Sequence, residues 1–458
     1  MVTGEPQATR CKRLGLILFA ALSCSVCASA AAQQNASLPA VINFLLDDDA
    51  VTTPWGPVFG AKRVSEADRP TRGWLMVFDD LVPVPLTGSL QDAIDNCAIS
   101  GCVIEIDQLN LADTVFINRS NIKLLGKNGN RVTFSSTDSV FHVETGSTNI
   151  VFEKLNIDGR VSGNSIERDP SVYGIYLLGN TIRNVLIKDN HIHHLDGKEG
   201  AHGIAVLGEG DSEQNAISNV SIEGNLLNDL RTGFSESLVI NGNVKNWEII
   251  NNQVVDVNNI AIDAIGGEGT SPTQTVNGRI LPGLVDAARL GFIQNNRVTN
   301  MSTISNPAYN QQHSYAAGIY IDGGRDIIVS GNVITNTPWA FEVGAENCVQ
   351  TSNISIDNNQ ALGSRFGDLI IGGCAAGGYL TDQAINCNPN TSSDDAEGHG
   401  YVGNTTITNN SFVSNPVSVN LIELSKRVIN TIVAQAGVIA VNTDGVVTGD
   451  GNSIRTSE

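Results

Sequence analysis

Short runs along this chain carry apolar side chains at every second position and end on glycine or alanine: GIYLLG (174–179), GIAVLG (203–208), SLVING (237–242), AIDAIG (261–266), GIYIDG (318–323), AFEVGA (340–345) and DLIIGG (368–373). Their second and fourth residues are apolar throughout, from Ile175 and Leu177, through Ile319 and Ile321, to Leu369 and Ile371. Alternation of this kind points one face of an extended strand into a core and the other face outward. After each run an asparagine returns in a fixed setting, as in IKDNHI, IEGNLL, IINNQV, IQNNRV, VSGNVI, IDNNQA and ITNNSF, at Asn190, Asn225, Asn252, Asn296, Asn332, Asn359 and Asn410. A third apolar pair follows it, such as Ile192 with Leu195 or Leu227 with Leu230. Three short strands per coil, repeated, predict an all-β solenoid, a parallel β-helix, because one coil cannot bury its apolar face alone and stacked coils share a core. The recurring asparagine reads as structural, its amide bonding the asparagine of the next coil and the local backbone.

A solenoid needs a cover over its open apolar end. SLQDAIDNC supplies one, with Leu90, Ala93, Ile94 and Cys97 at helical spacing ahead of the first strand in CVIEIDQ. The chain divides into a signal peptide (1–32), an irregular extension (33–86), the β-helix (87–430) and a C-terminal cap or tail (431–458). The first of these segments has Arg10, Lys12 and Arg13 ahead of LGLILFAALSCSVCASAAAQ, a basic stretch, an apolar stretch and small residues suited to cleavage. That pattern predicts export, to the periplasm or beyond, without a membrane anchor: neither Cys24 nor Cys27 has leucine three residues before it. The remaining Cys97, Cys102, Cys348, Cys374 and Cys387 are odd in number, so one stays unpaired in an oxidising compartment. Cys97 with Cys102 is the expected pair; Cys374 with Cys387 is a second, for which Cys348 competes.

The SLQDAIDN helix and the repeated coils of the form GI.I.G…I.I.GN.I.N resemble the right-handed parallel β-helix superfamily that includes secreted pectate lyases and polygalacturonases. The resemblance covers residues 87 to 430. It implies the handedness of the coil and activity on a polysaccharide. It does not imply a reaction, because neither the NTD…DD residues of polygalacturonases nor the DPHD of alginate epimerases occurs in this sequence.

The formal charge of −20 argues against nucleic acid and anionic membranes as partners, since both require a basic surface. Acidic residues also break the outward positions of the runs in one place. Asp263 and Glu342 hold the third position of their coils, and Asp322 holds the fifth position of the coil between them. With coils about 4.8 Å apart and residues about 3.3 Å apart along a strand, each pairing with Asp322 separates backbones by about 8 Å. Carboxyl groups reaching across that gap cover the separations used by glycosidases. Asp263, Asp322 and Glu342 are therefore the candidate catalytic residues, projecting outward while their neighbours fill the core. Tyr176 and Tyr320 share their column, Glu268 and Glu346 lie just past the same turns, and with Arg325 and with His202, on the same edge two or more coils away, they make a candidate substrate-binding set. The longest insertions, 267–290, 301–317 and 374–402, cluster around these strands as the walls of a groove.

HIHHLDGKEGAH collects His191, His193, His194 and His202 near Lys198, but alternation in the third strand is expected to divide the histidines between faces, so no metal site is assigned to it. The sequons at Asn118, Asn219, Asn353 and Asn404 are accounted for by the asparagine-rich repeat. The leading expectation is a glycoside hydrolase needing no cofactor, with an oligosaccharide or polysaccharide as its partner. One alternative is a polyuronate lyase or C5-epimerase, in which the acids hold calcium and Arg325, Lys198, His202 or Tyr320 is the base. Another is a non-catalytic glycan-binding protein. The inward and outward assignment is directly testable by thermal melts: Ile321→Asp should cost several kcal/mol by burying an unpaired charge, whereas Asp322→Asn should stay within about 1 kcal/mol of wild type. The reverse order would turn the strand over.

Overall fold

A computed structural model describes residues 51–53, 56–58, 64–135, 138–276, 279–314, 316–345, 349–371 and 401–413, and beyond these the strands Leu421–Leu424, Val428–Ile429, Ile432–Ala434, Ala440–Thr443 and Ser453–Arg455. The signal segment, Glu346, Cys348, Cys374, Cys387 and residues 374–400 of the last insertion lie outside the described residues. The coils pair in parallel as the period demands. Their first strands, from Val115–Ile117 to Ala440–Thr443, make one 11-stranded sheet, and their second and third strands make up the other long sheet. This is a right-handed parallel β-helix, the hand that parallel crossovers take.

Register carries Ile175, Ile204, Leu238, Ile262, Ile319, Phe341 and Leu369 into one inward column, all within a single continuous core. Trp247 fits this core only because Gly291 lies opposite it on the next coil: a Cβ there would sit 2.1 Å from the indole. The expected helix forms over Leu90–Asp95, with the Ser89 hydroxyl accepting from the Asp92 backbone N–H at its N-terminus. Its Leu90 and Ile94 are buried in the same core, so it closes the end of the solenoid. Cys97 and Cys102 form the expected disulfide.

The recurrent asparagines are buried and form a ladder along the solenoid. From Asn190 to Asn359, each donates Nδ2 to Oδ1 of the next asparagine at 2.9–3.1 Å. The same oxygen accepts the backbone N–H of the asparagine before it. The second amide hydrogen goes to a core-strand carbonyl, for example from Asn252 to Ile222 O at 2.9 Å. One side chain thus satisfies donors and acceptors that a dry turn would otherwise leave unpaired. A second ladder, Asn121, Asn149, Asn184 and Asn219, runs along the middle of the second strands, each residue left-handed at φ 58–64 and donating Nδ2 to the Oδ1 of the residue before it where one precedes. Asparagine tolerates that backbone region better than most side chains do.

The stretch before the helix, expected only to be irregular, is ordered as a strap along the outer face of the second strands. Trp74, Leu75 and Phe78 pack on Val103, Leu125, Val151 and Leu186. Further along, Arg72 reaches Glu223 at 2.7 Å and Glu248 at 2.8 Å, and Arg69 lies 4.0 Å over the Phe292 ring. Replacing Asn252 by alanine should destabilise the fold by about 3–5 kcal/mol, because the Asn225 N–H, an Asn225 amide hydrogen and the Ile222 carbonyl lose partners in a dry environment. Chemical denaturation gives the measurement; a loss under about 1 kcal/mol would show that the ladder is dispensable.

Candidate functional site

One outward column runs along the first sheet through Phe116, His142, Tyr176, Ala205, Val239, Asp263, Tyr320, Glu342 and Ile370. Asp263, Tyr320 and Glu342 are therefore direct neighbours on successive coils, and Asp322 lies one outward position beyond Tyr320, opposite Gly344. The diagonal from Asp263 to Asp322 corresponds to about 7–8 Å between Cα atoms. Ile262, Ala264, Ile319 and Ile321 belong to the core, whereas the acids between them do not, so the facing inferred from alternation holds.

Outward does not mean exposed. Asp263 is 1% and Asp322 4% accessible, while Glu236, Glu268 and Glu342 around them are partly exposed. Two inserted segments are anchored on neighbouring coils. The segment after the Asp263 strand folds back on it: Gly266 bridges Ala287, Asp286 accepts from the Gly269 and Ser271 N–H groups, and Glu268 accepts from the Asn241 amide at 2.6 Å. The segment before the Asp322 strand is pinned across neighbouring coils, with the Asn306 amide on the Gly233 and Asn258 carbonyls and Tyr309 edge-on to Phe234. Tyr320, Ala317 and Trp339 form an apolar cluster on the far side of the acids, against Ile260, Phe366 and Ile370. The Tyr320 ring lies over Gly344, where a Cβ would come within 2.6 Å of its hydroxyl.

The electrostatics single out Asp263. Its Oδ1 is buried without a hydrogen-bond partner. Burial first, then the negative charges of Glu236, Asp322 and Glu268, hold its carboxyl well above the usual aspartate range. Asp263 therefore keeps its proton beyond the pH at which a solvated aspartate loses it. Burial likewise pushes Asp286 up to about 6, offset by its two backbone N–H donors. His202 is pushed down to about 4 by burial and stays neutral above that pH, with Nδ1 3.8 Å from Glu236 Oε2.

The remaining expected residues fall in different places. Tyr176 does not offer an open ring face: Tyr173 stacks on it at 4.1 Å, His142 tilts against it at 4.9 Å, and His202 stacks on Tyr173 at 4.8 Å. Arg325 belongs to the second sheet, paired in register with Arg289, where burial and that neighbouring charge lower its pKa to about 10 and its Nη1 donates to Leu284 O. Lys198 is paired with Asp169 at 2.6 Å. Glu346 lies outside the described residues. Glu236 is the acid that the sequence reading missed. It lies just before its strand, at the level of His202, and the run SESLVI signalled it only through that register.

No protein-family model matches the chain. Over 271 residues it is 33% identical to uncharacterized protein YwoF of Bacillus subtilis (strain 168), which is 55% of this chain and 54% of the relative; the chain spans about half the length of the curated relative it matches. The enzymatically active domain of bacteriophage CBA120 tailspike protein 2 is similar at 12% identity over 82% of this chain and 51% of that one, with a TM-score of 0.47. Endo-xylogalacturonan hydrolase from Aspergillus tubingensis is similar at 10% identity over 82% of this chain and 93% of that one, with a TM-score of 0.47.

The raised Asp263 pKa has a consequence for stability. Between the ordinary aspartate pKa, about 4, and the raised one, the folded protein binds more protons than the unfolded chain, so stability falls as pH rises through that window. Asp263→Asn removes the penalty. Relative to wild type, the variant should gain stability as pH climbs, with the smallest difference at acid pH, in denaturation midpoints measured across the range. A difference independent of pH would mean that Asp263 is already ionised.

Proposed function

We propose that the protein is an exported polysaccharide-active enzyme of the glycoside hydrolase type, with its sugar bound on the outward face of the Ile262–Ile265, Ala317–Asp322 and Trp339–Gly344 strands. The observation that carries this reading is the buried, proton-retaining Asp263 diagonal to Asp322 and rimmed by Glu236, Glu268 and Glu342. Glycoside cleavage needs one carboxylic acid that still holds a proton and one carboxylate that has lost it, and environments that push two acids apart supply that division. Asp263 is the general acid in this scheme. Asp322 is its partner, as base or nucleophile, and Glu342 supports charge at the next coil. Asp263 and Asp322 are buried, so a sugar reaches them when part of the surrounding structure moves.

The calcium-dependent lyase or epimerase reading has less support. Among the described residues, no three of these acids bring an oxygen within 4.8 Å of one another, while calcium gathers about six to eight oxygens at about 2.3–2.6 Å. Two of its candidate bases, Arg325 and Lys198, are engaged elsewhere.

A panel of neutral, acidic and amino-sugar polysaccharides, assayed for new reducing ends and for unsaturated ends, tests the proposal. Saturated reducing ends are expected, with Asp263→Asn and Asp322→Asn each lowering kcat about 10²–10⁴-fold while the thermal melt stays cooperative. Unsaturated ends abolished by a chelator would move the protein to the lyase class. Full activity in both folded variants would remove the assignment.

A further inference from the structure

A second constellation lies away from the acids, on the outward side of the third strands. Asp158, His193 and His194 each offer a ligand-type atom within 4.8 Å of the others. Asp158 and His193 are register partners on adjacent coils. The alternation expected to scatter the histidines does not do so: His191 and His193 flank the buried Ile192 on one side, with rings stacked at 4.1 Å. His194 then rejoins them because it is left-handed, at φ 56, in a turn column filled on later coils by Asp229, Asp256, Asn300 and Asn336.

Hydrogen bonding accounts for a proton on the far nitrogen of each ring. His194 Nε2 lies 3.1 Å from Asp229 Oδ2, a carboxylate that can only accept, so Nε2 bears the hydrogen. His193 Nε2 lies 2.7 Å from Asn156 Oδ1 and donates likewise. The two Nδ1 atoms face each other in direct contact and lie 3.8 and 3.6 Å from Asp158 Oδ1. In the neutral tautomers that donate from Nε2 both Nδ1 atoms are acceptors, and their convergence with a carboxylate oxygen is one that a cation would join. A histidine whose far nitrogen donates to a carboxylate or amide oxygen is the usual outer arrangement of a metal-bound imidazole.

We propose that Asp158, His193 and His194 form a binding site for a divalent transition-metal ion of the zinc class. Two imidazole nitrogens and one carboxylate oxygen disfavour calcium and magnesium, which take oxygen ligands. Three protein ligands leave a position for water or a ligand, and His194 is 25% exposed, so the site opens to solvent. The ion also clips adjacent coils together, since Asp158 precedes the histidines by one full turn of the solenoid.

Two arginines compete for the same carboxylate. Arg131 Nη2 and Arg160 Nη2 share Asp158 Oδ2 at 2.8 and 2.9 Å, while Oδ1 accepts from the Arg160 backbone N–H and Nε, both at 3.0 Å. Arg131 can stay in place when an ion takes Oδ1. Arg160 has to yield its Nε contact, and its side chain is 34% exposed with the Asp229 charge nearby to receive it. This competition gives the proposal a signature of its own, because removing Arg160 should strengthen metal binding rather than weaken it.

The test titrates chelator-treated full-length protein with Co²⁺, followed by visible absorption, and with Zn²⁺, followed by calorimetry and thermal melts. One equivalent should bind, with low-symmetry cobalt bands and a raised Tm. His193→Ala and His194→Asn should each weaken binding at least about tenfold, and Arg160→Ala should tighten it severalfold. His194→Asn keeps a side chain suited to the left-handed backbone, so it remains informative if His193→Ala fails to fold. Absence of cobalt binding by the wild type, or unchanged affinity in folded His194→Asn, overturns the proposal. So do imidazole ¹⁵N signals showing one proton shared between the two Nδ1 atoms and unaffected by Zn²⁺.

Discussion

The buried asparagine ladder is the constraint from which the rest of the structure follows. A solenoid this long must bury its turns, and each buried turn leaves backbone donors and acceptors that water cannot reach. Asparagine answers both needs with one planar group: its oxygen takes two N–H donors and its nitrogen supplies two. Because each amide bonds the next at 2.9–3.1 Å, the ladder also fixes the coil spacing and the register. A slip of one residue would turn every strand over, sending Asp263 and Asp322 into the core and Ile262 and Ile321 out of it. The position of the acids is in this sense set on the opposite side of the coil from where they lie.

With register fixed, insertions become inexpensive, since they enter between strands and leave the ladder intact. Asn252 and Asn296 are 44 residues apart and still bond, as Asn225 and Asn252 do across 27. The chain uses this freedom around one stretch of the first sheet. The extra segments there are anchored on neighbouring coils, and burial is the main cause of the raised Asp263 pKa. Bare on a flat sheet, Asp263 would titrate near its ordinary value.

What the sequence disclosed follows from what periodicity can encode. Alternation in GIYIDG and its relatives, and the repeated asparagine, determine strands, facing and register, and those expectations hold at Ile319, Ile321, Asp322 and Tyr320. The Leu90 and Ile94 spacing disclosed the cap for the same reason. Burial of outward residues was not legible, because it depends on where non-periodic segments settle. Glu236 escaped notice since it precedes its strand, outside the repeating unit. The strap from Arg69 to Phe78 has no period at all, and its placement rests on long-range pairs such as Arg72 with Glu223 and Glu248. Arg325 was misjudged as a neighbour of the acids by its closeness in sequence to Asp322; the turn at Gly323 and Gly324 carries it into the next sheet beside Arg289. His194 shows the same limit, as a left-handed turn residue does not obey strand alternation.

The disposition of the arginines completes the picture. Composition alone gives a formal charge of −20, which treats every basic residue as equally available to balance the acids. In the fold, much of the guanidinium charge is committed to specific partners. Arg69 and Arg72 clasp the buried Glu248, Arg131 and Arg160 clasp Asp158, Arg168 is buried against Phe134, and Arg289 is tied to Glu213. The ion pairs among these cancel charge locally and contribute little to the field at a distance. The acids of the first sheet therefore lie in a field more negative than a uniform spread of basic residues would create. The charges that act on Asp263, the acid with the least water around it, are those of Glu236, Asp322 and Glu268, and they add to the desolvation that keeps its proton in place. The strap and the covered site are linked through this accounting: arginine side chains that hold one face of the solenoid are not available to ionise the other.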